Sequence, residues 1–184
     1  MKLPDDAKKV FEGVIFDVYQ WQQKMFDGSE ETFERVRRPA TVLVIPTTGT
    51  SVFLSKEEQP GRPVAINLLG GRLEKGEEPL ACAKRELVEE AGMESTDWEL
   101  YKMYEPVIKM DWQVYIFIAR GCKKVANQTL DAGERIEVQE VTFTDFIDQV
   151  CSEGSREIEL AADVLRMRLD PPKLQAFEHK LFGV

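Results

Sequence analysis

Between Gly71 and Met93 the chain reads GRLEKGEEPLACAKRELVEEAGM, and no other stretch constrains its folding as strongly. Leu80, Ala83, Leu87 and Ala91 recur at helical spacing. Pro79 stands where the first turn of a helix tolerates proline, and Gly92 suits the left-handed position that ends one. On that helix Glu86, Glu89 and Glu90 are related as i, i+3 and i+4, so three carboxylates project from one face, distinct from the apolar one. Stacked anions repel each other. A hard divalent cation with oxygen ligands, Mg2+ or Mn2+, is the partner that best justifies such a face. The plainer alternative is a solvated acidic helix.

The spacing goes further than the helix. Gly71, Glu77, Arg85, Glu86, Leu87, Glu89, Glu90, Gly92 and Met93 fill every defined position of G-x5-E-x7-R-E-U-x-E-E-x-G-U, where U is aliphatic. The segment therefore resembles the Nudix box, and a complete match weighs against the plainer alternative. The resemblance implies an α/β fold: an α/β/α sandwich with a mixed β-sheet, covering residues 40–184, behind an N-terminal strand arm over residues 1–39. It implies metal ligation by Glu86 and Glu90, with Glu89 on a second ion or acting through water, and a backbone carbonyl from Gly70 or Gly71. Gly71, Glu77, Arg85 and Gly92 are the structural positions of the box, with Glu77 and Arg85 holding the loop against the helix. The activity implied is metal-dependent hydrolysis of a nucleoside diphosphate linked to another group.

The base is not set by the box. Ala132–Val141 reads AGERIEVQEV and resembles the acidic loop before the last strand of ADP-ribose pyrophosphatases. Glu134 aligns best as the group that binds metal or activates water, with Glu137 second. The catalytic set is then Glu134, Glu137, Glu89 and Arg85. Gly133 would let the loop hinge.

The flanks bear on the substrate. About 70 residues precede the box, whereas triphosphate-cleaving members start their sheet almost at once. An N-terminal strand set that pairs subunits is typical of nucleotide-sugar hydrolases, so a homodimer acting on ADP-ribose or another nucleotide sugar is expected. A nucleoside triphosphate or dinucleoside polyphosphate hydrolase is the alternative, and a non-catalytic nucleotide-sugar sensor a third, disfavoured because the box has lost no carboxylate. The chain departs from the ADP-ribose group in reading SKEEQPGRPVAINLLGG before the box and in placing Pro106 13 residues after Met93. Tyr19, Trp21, Phe26 and Trp112 are candidates for stacking on a base. Trp112 stands out because it precedes a predicted strand, Val114–Ala119. Arg37, Arg38 and Arg62 are candidates for phosphate. His179, the one histidine, falls in a predicted C-terminal helix and reads as a surface residue.

A formal charge of −9 disfavours nucleic acid and anionic membranes as partners, so a phosphate-bearing small molecule needs local cations. Cys82, Cys122 and Cys151 form an odd, widely spaced set that suits a reducing compartment. No apolar run approaches a membrane span and the N-terminus lacks a signal-peptide core, so the cytoplasm is expected.

Overall fold

A computed structural model describes residues 3–153 and 155–183. Met1, Lys2 and Val184, the outer ends of the expected arm and domain, lie outside the described residues, as does Gly154. The chain begins with three strands, β1 (Lys8–Glu12), β2 (Asp17–Lys24) and β3 (Glu30–Arg37). Then come β4 (Thr41–Thr48), β5 (Ser51–Glu58), β6 (Ala65–Asn67) and β7 (Leu69–Arg72), followed by α1 (Pro79–Ala91). β8 (Met93–Glu94), β9 (Asp97–Tyr104), β10 (Met110–Asp111), β11 (Val114–Arg120), β12 (Lys123–Lys124) and β13 (Arg135–Thr142) complete the strands. The helices α2 (Phe143–Val150), α3 (Ile158–Arg168) and α4 (Pro171–Phe182) close the chain.

The central sheet has the order β13-β5-β4-β11-β9, with β6 against β5 and β7 against β4. It is mixed, because β11 runs parallel to β4 and antiparallel to β9. Side chains alternate across a strand, and this sheet is covered on both faces. Val42 and Val44 of β4, with Phe117 and Ala119 of β11, pack beneath α1 on Cys82, Ala83, Leu87 and Ala91. Ile45, Ile116 and Ile118 face the other way, onto Phe146 of α2, Leu160 and Val164 of α3, and Phe177 and Leu181 of α4. The result is the expected α/β/α sandwich. Leu87 alone, fully buried, contributes about 2 kcal/mol from its removal from water.

The N-terminal strands form a second sheet of order β1-β2-β3-β10, so the arm is anchored to the sandwich through β10. Its tip carries exposed apolar side chains, Phe11, Val14, Ile15 and Phe16, and Phe26 at the far turn is fully exposed.

Several local expectations change. By sequence, Val64–Leu69 reads as one strand, Thr144 as a helix cap and Pro171-Pro172 as the end of a helix. The strand is split, because the chain leaves β5 after Asn67 and joins β4 from Leu69. Thr142, not Thr144, caps α2, accepting a hydrogen bond from the Asp145 amide. Pro171 and Pro172 do not end α3. They open α4, where a missing amide proton costs nothing. Leu80 stays partly exposed, while Cys82 takes the buried position.

Candidate active site

Gly70 and Gly71 end the path from β6 into the box. Gly70 has φ +141, and a Cβ there would lie 2.9 Å from the Leu43 Cα, so only glycine lets β7 lie this close to β4. Its amide donates to Glu90 Oε2 at 2.7 Å. Arg85 holds the opposite side. Its Nε and Nη2 donate to the two oxygens of Glu77 at 2.9 and 3.0 Å, and Nη1 donates to Glu86 Oε1 and Glu89 Oε2, both at 2.9 Å. These hydrogen bonds keep the Glu77 carboxyl down at about 2. Glu77 also accepts from the Glu74 amide, pinning the loop that the box motif assigns to it.

Glu86 and Glu90 are 9% and 7% exposed, an unusual depth for carboxylates. Burial raises both carboxyls. Glu90 is pushed up to about 9, by desolvation first and then by Glu86, Glu134 and Glu57, against the pull of the Gly70 amide. No cationic side chain among the described residues offsets this shift. The carboxylates of Glu86, Glu89, Glu90 and Glu134 border one recess of about 390 Å³. As the side chains stand, no three metal-ligating groups among the described residues converge on one point. Arg85 engages Glu86 and Glu89, and the Gly70 amide engages Glu90. The donors nevertheless fit a hard divalent ion: all are oxygens, two are buried, and a bound cation would supply the charge that Glu90 lacks.

The last turn of α1 is fastened from outside. Lys124 Nζ donates to the Ala91 carbonyl, the amides of Val125 and Ala126 to that of Gly92, and the Thr129 amide to that of Glu89. The Gln128 side chain donates to the carbonyl of Glu90. Gly92 is left-handed at φ +62, with the Ala126 carbonyl carbon 2.9 Å from where a Cβ would sit. This strap leads directly into the Asp131–Glu134 turn, closed by the Glu134 amide on the Asp131 carbonyl at 3.0 Å. Glu134 therefore faces the box acids, and burial and its acidic neighbours Asp131, Glu57 and Glu89 raise its carboxyl.

A second recess of about 390 Å³ adjoins the first, and Arg38, Gln59, Arg62, Gly70, Gly71, Arg72 and Glu134 line both. Its walls include Trp112, Tyr104, Leu43, Leu68 and Val114. Arg38 lies over the Trp112 ring, 4.5 Å from its centroid, and the indole donates to Thr41 Oγ1 at 3.1 Å. The Arg38 Nε is buried without a partner, and burial, then the nearby Arg72, lower the guanidinium's pKa.

The structure thus gathers Glu86, Glu89, Glu90, Arg85, Glu134, Gly70, Gly71, Arg38, Arg62 and Trp112 around one cleft. It places the other candidates elsewhere, Phe26 among them at the exposed far turn of the arm. Arg37 is paired with Asp111 at 2.7 Å and lies over Tyr19. Trp21 packs edge-on against Phe33 within the arm. Glu137 points away from the cleft, because β13 sets it opposite Lys56, whose Nζ lies 3.0 Å from its carboxylate. His179 is exposed on α4. Sequence reasoning missed Arg72, Glu57, Asn67, Arg156 and Glu157, all of which line the second recess. Arg72 follows Gly71 directly and was there to be found. Arg156 and Glu157 arrive from a distant helix start and carry no local signal.

A mixed sheet between helices thus presents an acid-bearing helix and an acidic loop to one cleft. The NUDIX domain family model matches residues 36–159. The chain is 30% identical over 155 residues to the ADP-ribose pyrophosphatase of Bacillus subtilis (strain 168), covering 82% of each protein. It is 27% identical over 149 residues to the methanol dehydrogenase activator of Bacillus methanolicus, covering 78% of this chain and 80% of that one. The crystal structure of an ADP compounds hydrolase has the same fold, with a TM-score of 0.72 at 19% identity over 91% of this chain and 94% of that one. The chain belongs to the Nudix family. Within it, the protein is a pyrophosphatase.

Proposed function

We propose that the chain hydrolyses the pyrophosphate linkage of a nucleoside diphosphate joined to another group, ADP-ribose or another nucleotide sugar, giving a nucleoside monophosphate and a sugar phosphate. One observation carries this reading. Two recesses, one acidic and one walled by aromatic and aliphatic side chains, share a rim that bears Arg38, Arg62 and Arg72. Cations on the shared rim suit a diphosphate lying across it, with a larger organic group in the second recess. The buried, unpartnered Arg38 Nε is a donor that a phosphate oxygen would satisfy. The similarity to the Bacillus subtilis ADP-ribose pyrophosphatase supports the same substrate class.

Glu86 and Glu90, with Glu89 and a carbonyl of Gly70 or Gly71, would hold Mg2+ or Mn2+. Bound there, such an ion would neutralise phosphate charge and ease deprotonation of water. Glu134, which borders both recesses, would take the proton of the attacking water. A P–O bond to water forms, the bridging P–O bond breaks, and the second phosphate leaves. Arg85 positions Glu86 and Glu89 rather than touching substrate. The arm's exposed apolar tip is the surface through which two copies would pair. Three free cysteines suit the cytoplasm, and no helix among the described residues is long and apolar enough to cross a membrane.

The test is a panel of ADP-ribose, other nucleotide sugars, dinucleoside polyphosphates and triphosphates, with Mg2+ or Mn2+ in 18O-water, read by mass spectrometry. AMP plus ribose 5-phosphate is the expected outcome, and the label identifies the phosphorus attacked. Pyrophosphate release from triphosphates alone would overturn the reading. So would tight binding without turnover.

A further inference from the structure

The far wall of the second recess is built from side chains that the reaction does not use. Asn67, at the end of β6, is 7% exposed, and its Nδ2 donates to Glu57 Oε2 at 2.7 Å. Glu57 is itself fixed. Gln59 donates to its other oxygen, and Arg156 Nη1 lies 3.7 Å from Oε2. The orientation of the Asn67 amide is therefore decided, because a flipped amide would set its oxygen against a carboxylate. The Asn67 Oδ1 must be the free end, and it has no hydrogen-bond partner. The backbone beneath is held by Ser55 Oγ, which donates to the carbonyls of Asn67 and Leu68 at 3.2 and 3.4 Å. Beside it lies Glu157, 6% exposed at the start of α3, its carboxylate facing the backbone amides of Leu68 and Arg156.

A buried acceptor without a donor costs about 1–3 kcal/mol, so the wall is incomplete without a ligand that donates. An ionised phosphate offers no donor to Asn67 Oδ1, and Arg156, the cation on this wall, already lies 3.7 Å from Glu57 Oε2. A nucleobase edge alternates donors with ring-nitrogen acceptors, and the latter would face a carboxylate. The hydroxyls of a sugar can all donate. We infer that this end of the second recess is a sugar subsite, in which Asn67 Oδ1 and the Glu157 carboxyl accept hydrogen bonds from the hydroxyls of the sugar linked to the nucleoside diphosphate. The assignment rests on the proposed activity for its substrate class, and it makes Asn67 a specificity-determining residue.

Asn67→Leu removes the acceptor, together with the Nδ2 donor to Glu57, at nearly constant volume, and thermal unfolding reports whether the variant folds. Asn67→Ser, which withdraws the acceptor from reach, serves if leucine does not. Two readouts are taken. The first is kcat/KM on ADP-ribose and on the P2-methyl ester of ADP, which has no second sugar. The second is calorimetric binding of ribose 5-phosphate and of methyl phosphate, which needs no turnover. The subsite requires a loss of roughly tenfold for the two sugar compounds and none for the two methyl compounds. Equal losses on both, or no loss on either, would overturn it. If the wild-type protein cleaves no nucleotide sugar but ribose 5-phosphate binding still depends on Asn67, the proposed reaction falls and the subsite stands. If it cleaves ADP-ribose and Asn67→Leu changes nothing, the reverse holds.

Discussion

Gly71→Ala separates folding from catalysis in this protein. Gly71 does not have a positive φ, so alanine meets no backbone strain there. A Cβ would sit 2.5 Å from Glu86 Cδ and 2.8 Å from Oε2, and nearer still to Oε1. Carbon contacts relax at about 3.5 Å, so the Glu86 carboxylate must retreat by about 1 Å. The end of a flexible side chain can do this cheaply, and Gly→Ala at a compatible backbone stiffens the unfolded chain by about 0.4–1 kcal/mol in the protein's favour. The unfolding midpoint should stay within about 4 °C of wild type. Turnover should not survive so well. If Glu86 holds metal as proposed, a displacement of about 1 Å costs on the order of 100-fold, or about 2.7 kcal/mol in kcat/KM. The assay is ADP-ribose hydrolysis beside thermal unfolding, with Gly70→Ala as the contrast. There the Cβ would strike the backbone of Val42 and Leu43 at φ +141, and loss of the fold is expected. A folded Gly71→Ala protein whose kcat/KM lies within threefold of wild type would refute the placement of Glu86 in the working site.

Three further outcomes are expected. Glu90→Gln can still accept from the Gly70 amide but carries no charge, so turnover should fall by two orders of magnitude or more while the metal-free protein unfolds no earlier than wild type; near-normal turnover would sink the metal assignment. Glu77 is held at about 2 instead of 4.5, so its contribution to stability is complete above pH 4.5 and is lost as pH falls through about 2; Glu77→Gln should flatten that acid limb in pH-dependent unfolding, and an unchanged slope would show that the Arg85 pairing does not act there. Val14 is 97% exposed at the arm's tip, so Val14→Asp should leave folding intact yet shift sedimentation from dimer to monomer if the tip pairs subunits, and an unaltered dimer would remove the tip from that role.

The parts of this protein legible in sequence are those whose determinants are local. α1, its proline start and its left-handed Gly92 end follow from the spacing of a few residues, as does the strand at Val114. The box also places Glu86 and Glu90 beside each other, because one helical turn does so on any helix. What escaped notice depends on register and topology. Glu134 and Glu137 are close in sequence, yet the first sits in a turn over the cleft while the second is carried outward by its pairing with Lys56. Aromatic and basic side chains often serve as substrate contacts, but Arg37 lies over Tyr19 and pairs with Asp111, and Trp21 packs on Phe33 within the arm. Asn67 and Glu157 meet only because β6 and the start of α3 converge on the same recess.

The strap across the end of α1 also bears on how such an enzyme can diversify. Lys124, Val125, Ala126, Gln128 and Thr129 are each committed to a helix carbonyl, so that stretch tolerates little change in length. From Leu130 to Gly133 the chain is free of such obligations to α1. Insertions or deletions in those four positions would alter the reach and timing of Glu134 while leaving the box, the sheet and the cap untouched. The protein separates a tether of constrained length from an adjustable tip, so new substrates can be sampled at the loop without renegotiating the core.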